Sequence, residues 1–327
     1  MAQTEHTREE HPLTGPVAVL MGGMSEERDI SLKSGTALYQ ALLARGYDAV
    51  AVDCGRDLPQ RLLTLRPRAA VIALHGPLGE DGTVQGLLEV MGIPYTGSGV
   101  TASAVCMNKA LCKELLRAAG IPTPPWQVVT VKDTPGSMDA ALAQLDHLPC
   151  PVFLKPLASG SSVGILRVTQ RRDLAEGLVR TARHGAQVLV EQGITGVEVT
   201  LAVMDGEPFP LVEIQPPADT FFDFQSKYTK GVTCYPVPPE RVTGAALERA
   251  TRAGVDAYAA AGCAGLARVD IMMEDGQQPW VLEINTVPGM TATSLAPKAA
   301  QARGLSFEDL AETILRSASL KTCSCAS

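Results

Sequence analysis

The chain has 327 residues, no run of basic side chains and a formal net charge of −7. Nothing marks a stripe for a phosphate backbone, so nucleic acid is disfavoured as the main partner. The longest apolar runs are far too short to span a bilayer. The polar start, MAQTEHTREEHPLTG, lacks the apolar stretch of a secretion signal. No membrane partner and a cytoplasmic location are therefore expected. Eight cysteines are spread along the chain without a CxxC pair, and the five histidines do not cluster with them. This argues for reduced thiols, several of them buried, and against a zinc site. There is no internal repeat and no low-complexity segment. What is present, 46% hydrophobic and 19% charged residues, is an ordinary globular balance, with length for two or three domains.

From residue 17 the pattern is strand, loop, helix, strand. VAVLM (17–21), DAVAVD (48–53) and AAVIAL (69–74) read as strands, with helices to about residue 45 and over 57–66. Strands alternating with helices predict a parallel, Rossmann-like layer. Helices are also expected after the glycine-rich loop at 75–82 and from 108 to 119. Beyond a linker at 123–129 come strands at 151–156, 164–168 and 187–192, with a helix near 171–184. EVTLAVM and PFPLVEIQ read as strands, 216–234 as a candidate lid, 244–261 and 306–316 as helices. The expected division is 15–105, 106–192 and 193–318, with tails at 1–14 and 319–327.

The most informative stretch, RVDIMMEDGQQPWVLEIN (268–285), reads as a β-hairpin turning at Asp275-Gly276. A single register sets Asp270 opposite Glu283 and Arg268 opposite Asn285, which puts all four on one face. Two carboxylates and an amide are oxygen donors suited to Mg²⁺ when phosphates fill its other positions. The alternative is a solvent-facing polar side. PVFLKPLASGSSVGI puts Lys155 at a strand end before a Gly-Ser-Ser loop that includes Ser161 and Ser162. Backbone N–H groups and hydroxyls there suit phosphate, although a plain glycine-serine hairpin reads the same way. An unpaired lysine among apolar neighbours wants an anion, and Lys109 at a helix start is a second candidate. Together these point to a polyphosphate held with Mg²⁺. Glu191 and Glu198 near the end of an apolar strand fit an adenine or ribose contact or a surface strand end. Glu27 fits a ligand role or simple complementarity to a helix N-terminus. His75 lies where open α/β sheets bind ligands, and Ser294 suits a helix cap or a carboxylate. Gly22-Gly23 is not GxGxxG, so a dehydrogenase is disfavoured, and the Lys155 loop is not a Walker motif.

With these residues in view, the chain resembles the D-alanine–D-alanine ligases of the ATP-grasp superfamily over residues 17–315. The matching motifs are GGxSxE at 22–27, HGxxGEDGxxQGxLE at 75–89, YTGSG at 95–99 and KPxxxGSSxG at 155–164. KY at 227–228 and RxD…LExNxxPGMTxxSL at 268–295 complete the set. The resemblance implies an α/β ATP-grasp fold, a Rossmann-like N-terminal domain followed by two α+β subdomains sandwiching ATP. It implies two Mg²⁺ (or Mn²⁺) ions on Asp270, Glu283 and Asn285, and phosphates on Lys109, Lys155 and the Ser162 loop. Glu191 and Glu198 would take adenine and ribose, and Lys227 the γ-phosphate. Glu27, Ser161 and Tyr228 would surround the first D-alanine, with Glu27 on its ammonium and His75 nearby. Arg268 and the Gly289 backbone would meet oxyanion charge, and Ser294 and Leu295 the second substrate. ATP and D-alanine are the implied partners and a homodimer is expected. The lid reads FFDFQSKY where the family often has FYDYxxKY, so Phe222 and Phe224 lack hydroxyls; the retained Tyr228 predicts D-alanine as second substrate.

Overall fold

In a computed structural model, the described residues are 15–322 apart from 133, 135, 158–163, 217–232 and 292. Expectations for Ser161, Ser162, Phe222, Phe224, Lys227 and Tyr228 lie outside them. The first sheet is parallel in the order β2 (Ala49–Asp53), β1 (Val17–Met21), β3 (Ala69–Ile72). Its strands alternate between two cores, as a sheet covered on both faces requires. Val17, Val19 and Val71 face one cluster, and Ala18, Leu20 and Ile72 the other. Helix α1 (Arg28–Ala44) covers the first side, α2 (Leu58–Leu65) and α3 (Thr83–Met91) the second. α1 lies close to β1 because Gly35 has no side chain; a Cβ there would sit 2.3 Å from Met21 Cβ.

Helices α4 (Val100–Met107) and α5 (Lys109–Ala118) lead to the second sheet. Its antiparallel order is β4 (Trp126–Thr130), β7 (Gln187–Gln192), β5 (Val152–Pro156), β6 (Leu166–Val168). Helices α6 (Ser137–Ala143) and α7 (Leu174–Thr181) help close its core. The third sheet runs β10 (Val212–Ile214), β8 (Gly196–Met204), β11 (Leu266–Glu274), β12 (Gln278–Asn285), with β9 (Glu207–Pro208) pairing β8. Alternate residues Val199, Leu201, Val269 and Ile271 pack under α8 (Gly244–Ala260). Their neighbours Glu198, Thr200, Arg268 and Asp270 occupy the opposite face, as period-2 alternation dictates. Helices α9 (Leu295–Ala302) and α10 (Phe307–Arg316) end the chain's regular structure, α10 with a Ser306–Asp309 capping box.

The sequence reading missed α4, α6 and α9, and it misplaced the C-terminal tail. Residues 319–322 are not a loose end: Ser319 bridges Tyr95, and Glu89 Oε1 accepts from the Lys321 N–H at 2.7 Å. Lys321 Nζ also stands 5.3 Å over the Tyr95 ring. The segment is held because a carboxylate at the end of α3 meets its backbone donors. Residues of the first sheet, β8, α9 and α10 share one core, so the first and last parts of the chain pack as a unit. Among the described residues no helix is long and apolar enough to cross a membrane.

Candidate active site

The site forms where the carboxyl ends of β1 and β3 meet the polar face of the third sheet. Ser25 ties the two loops together. Its Oγ donates to the His75 carbonyl at 2.7 Å and accepts from the Glu27 N–H at 3.2 Å. Glu27 precedes α1 but is only 6% exposed, so it is not the surface charge of an ordinary helix start. Gly76 takes φ 71°, and a Cβ on it would sit 2.6 Å from Glu27 Oε2. That position needs glycine both for its backbone and for the room it leaves the carboxylate.

Glu80, which the sequence reading passed over, accepts from the Gly76 N–H at 2.7 Å. Burial, then the Glu27 charge, pushes its carboxyl up to about 8, so it is mostly protonated at neutral pH. His75 moves the other way. Burial and then Arg268 bring it down to about 4, leaving a neutral imidazole that bonds the Val287 carbonyl. Its Nε2 lies 3.4 Å from Ser34 Oγ, which in turn accepts from the Met290 N–H at 3.1 Å.

The hairpin register is the one the sequence implied: Arg268 opposes Asn285 and Asp270 opposes Glu283. Past Asp270 the pairing slips, and Ile271 opposes Val281, so Leu282 is a bulge. Asp270 is almost fully enclosed. It accepts from Arg268 Nε and Nη2, both at 2.8 Å, from Thr200 Oγ1 at 2.6 Å and from Asn285 Nδ2 at 3.2 Å. A bidentate guanidinium therefore fixes the carboxylate. Because Asn285 donates its amide N–H₂ to Asp270, its carbonyl oxygen is the group left to act as a hard-cation donor. Asp270, Glu283 and Asn285 thus suit Mg²⁺ by donor type. Among the described residues no three His, Cys, Asp or Glu side chains form a cation cage, so any ion here needs ligand phosphate or water to complete its shell.

The lysines correct one premise. Lys155 is not unpaired: its Nζ lies 2.6 Å from Glu191 Oε1, and Glu191 is 1% exposed rather than at a surface strand end. A lysine absent from the sequence reading, Lys113, completes the group with Nζ 2.5 Å from Glu191 Oε2. The reason is strand order. β7 lies directly beside β5, with Lys155 opposite Leu189 and Glu191 opposite Phe153, so Lys155 and Glu191 are diagonal neighbours on one face. Lys109 is enclosed at the start of α5; burial lowers its pKa, against the pull of Glu283.

A cleft joins the first layer to the third sheet. Glu27, His75 and Glu80 line it from the first layer, Glu198, Arg268, Asp270, Glu283 and Asn285 from the third sheet, and Gly289, Ser294 and Leu295 from the loop into α9. Ser294 stands at the start of α9, but its Oγ accepts from the Thr291 N–H at 3.0 Å instead of capping the helix. A Cβ on Gly289 would come within 3.0 Å of that hydroxyl. Glu283, on the cleft wall, pulls on the charges of Lys109 and Lys155. A sequence signal for Glu80 existed, an acid inside a glycine-rich loop, as did one for Lys113, one turn beyond Lys109.

Two family models match the chain, "D-ala D-ala ligase N-terminus" over residues 59–98 and "D-ala D-ala ligase C-terminus" over 115–316. A D-alanine–D-alanine ligase of Magnetococcus marinus is 47% identical over 309 residues, 93% of this chain and 98% of the relative. The crystal structure of a Bacillus anthracis D-alanine–D-alanine ligase complexed with ATP superimposes with a TM-score of 0.80 at 33% identity, covering 93% of this chain and 97% of that one. VanG D-Ala:D-Ser ligase of Enterococcus faecalis aligns with a TM-score of 0.77 at 27% identity, covering 93% and 99%. Full-length identity of this order, carried on an ATP-grasp framework of the same layers, means that the chain belongs to the D-alanine–D-alanine ligase family.

Proposed function

We propose that the protein joins two D-alanine molecules into D-alanyl-D-alanine, converting ATP to ADP and phosphate through an acylphosphate, and so supplies peptidoglycan precursor synthesis. The observation that carries the reading is the single cleft in which Glu27 and the Arg268–Asp270–Glu283–Asn285 hairpin face one another.

Glu27 receives the ammonium of the first D-alanine. The neighbouring Glu80 keeps its proton and His75 stays neutral, so neither adds a competing charge at neutral pH. Lys109 and Lys155 hold phosphate oxygens, and Glu191 and Glu198 border the adenine and ribose. Asp270, Glu283 and Asn285 would hold the Mg²⁺ ions, whose charge would offset the repulsion between two approaching anions. The carboxylate of the first D-alanine attacks the γ-phosphorus and ADP leaves. The neutral amine of the second D-alanine then attacks the acylphosphate carbon, and phosphate departs. Arg268 and the Gly289 N–H meet the oxyanion that forms in that step. Ser294 and Leu295 contact the second substrate, and water must be kept from the acylphosphate. The working unit is a cytoplasmic homodimer.

The test is coupled ADP release with ATP, Mg²⁺ and D-alanine, run beside L-alanine and beside D-alanine with D-lactate or D-serine, with product masses checked. Release with D-alanine alone, giving the dipeptide, supports the reading. Preferred incorporation of D-lactate or D-serine would reassign the second substrate, and ATP binding without ADP release would refute turnover.

A further inference from the structure

Glu191 is shared by two lysines, of which Lys155 also feels the charges of Glu283 and Glu198 on the cleft wall. Lys113 is 1% exposed and is not part of the cleft wall. Its Nζ donates to Thr123 Oγ1 at 2.6 Å and to the Pro124 carbonyl at 3.4 Å, and sits 5.4 Å over the Trp126 ring. On its remaining side it meets Glu191 Oε2, while Lys155 takes Oε1. Trp126 is the cross-strand partner of Glu191, so Lys113 is clamped by the element that fixes that carboxylate.

A buried lysine is costly to desolvate and adds little to stability compared with an apolar side chain of its size. Its effect here is on charge. With both lysines the cluster carries a net positive charge. Without Lys113, Glu191 and Lys155 cancel, and the carboxylate turns wholly to Lys155. We propose that Lys113 is a positioning residue for nucleotide phosphate: by pairing its charge with one oxygen of Glu191 it leaves Lys155 a surplus positive charge. Burial opposes the charge on Lys155, yet Glu191 and Glu283 outweigh it and its pKa ends above the ordinary value. Lys155 is thus a held, charged group whose field depends on what else neutralises Glu191. The inference rests on the reading above that Lys155 binds phosphate.

The test compares adenosine, AMP, ADP and ATP binding, with Mg²⁺ at constant ionic strength, by isothermal titration calorimetry. The proteins are the wild type, Lys113→Met, Lys155→Met, Glu191→Gln and the double variant Lys113→Met/Glu191→Gln. Removing one charge at an effective dielectric of about 20 should weaken ATP relative to adenosine at least about tenfold in Lys113→Met. The double variant, which deletes the opposing carboxylate as well, should regain most of that ratio. Equal losses from adenosine to ATP would mean that Lys113 only shapes the pocket and would overturn the inference, as would an unchanged ratio or no recovery in the double variant. If Lys113→Met does not fold, the fall in ratio from Glu191→Gln to the double variant carries the same test. An unchanged ratio in Lys155→Met would instead overturn the phosphate role of Lys155 itself.

Discussion

Glu80 is the group whose environment most changes what the protein should do with pH. Its folded pKa of about 8 stands well above the ordinary 4.5. A group raised on folding contributes stability fully below its unfolded pKa and loses it as pH rises through the folded one. Stability should therefore fall between about pH 4.5 and 8 on this account, at up to about 1.4 kcal/mol per pH unit. Integrated over that span the cost is roughly 3–5 kcal/mol, the lower figure allowing for water reaching a residue that is 9% exposed. Glu80→Gln mimics the protonated acid and still accepts from the Gly76 N–H, so it should remove the penalty. Thermal melting from pH 5 to 9 measures this. The two proteins should melt alike near pH 5, and the variant should melt several degrees higher at pH 8 to 9. Parallel curves over the whole range would show that Glu80 is ionised throughout or buried less than its surroundings imply, and would refute the reasoning. The companion expectation is kinetic. The variant should keep its KM for D-alanine within about threefold at pH 7, since Glu27 alone carries the negative charge there in both proteins.

Glu283→Ala should abolish ADP release while leaving the melting temperature within about 2 °C, because the residue is half-buried and assigned to metal rather than core. Gly76→Ala should raise KM for D-alanine at least about tenfold and cost roughly 1–2 kcal/mol, from its positive φ and the collision with Glu27 Oε2; initial rates and melting check the two effects. Arg268→Lys forfeits the two-pronged grip on Asp270 and should lower kcat about 100-fold or more in the coupled assay, with nucleotide affinity changed far less. Tyr228→Phe should shift second-substrate choice toward D-lactate, read as the ratio of the two products by mass.

The hairpin was legible because two local signals agreed. Asp275 and Gly276 take φ 49° and 66°, the positive values such a pair favours, and the polar residues of both strands fall on one face. The bulge at Leu282 was not, since a uniform register extends through any alternating pattern and nothing in the composition marks the slip. α4 was missed because VTASAVCM is small and apolar on every side, without the polar face that marks a helix by periodicity. α9 begins LAPK, and its proline obscured a helix start. The pairing of Lys155 was out of reach for a different reason: a sequence gives strands but not which strand lies beside which, and here β7 separates β4 from β5.

That gap matters most for the charges. Each of three enclosed carboxylates is neutralised by a different device: Glu80 keeps its proton, Asp270 is gripped by Arg268, and Glu191 is shared by Lys113 and Lys155. Sequence reading put Arg268 and Asp270 on one face of a single strand, but it could not assign what answers Glu80 or Glu191, because those depend on contacts between separate elements. Glu283 and Glu198, by contrast, line the cleft wall half-buried. Glu283 acts on the charges of Lys109 and Lys155. On the proposed reading, acids and an amide oxygen would meet a cation there while the lysines within reach of the Glu283 field would meet phosphate oxygens, which is the pairing that metal-nucleotide binding requires.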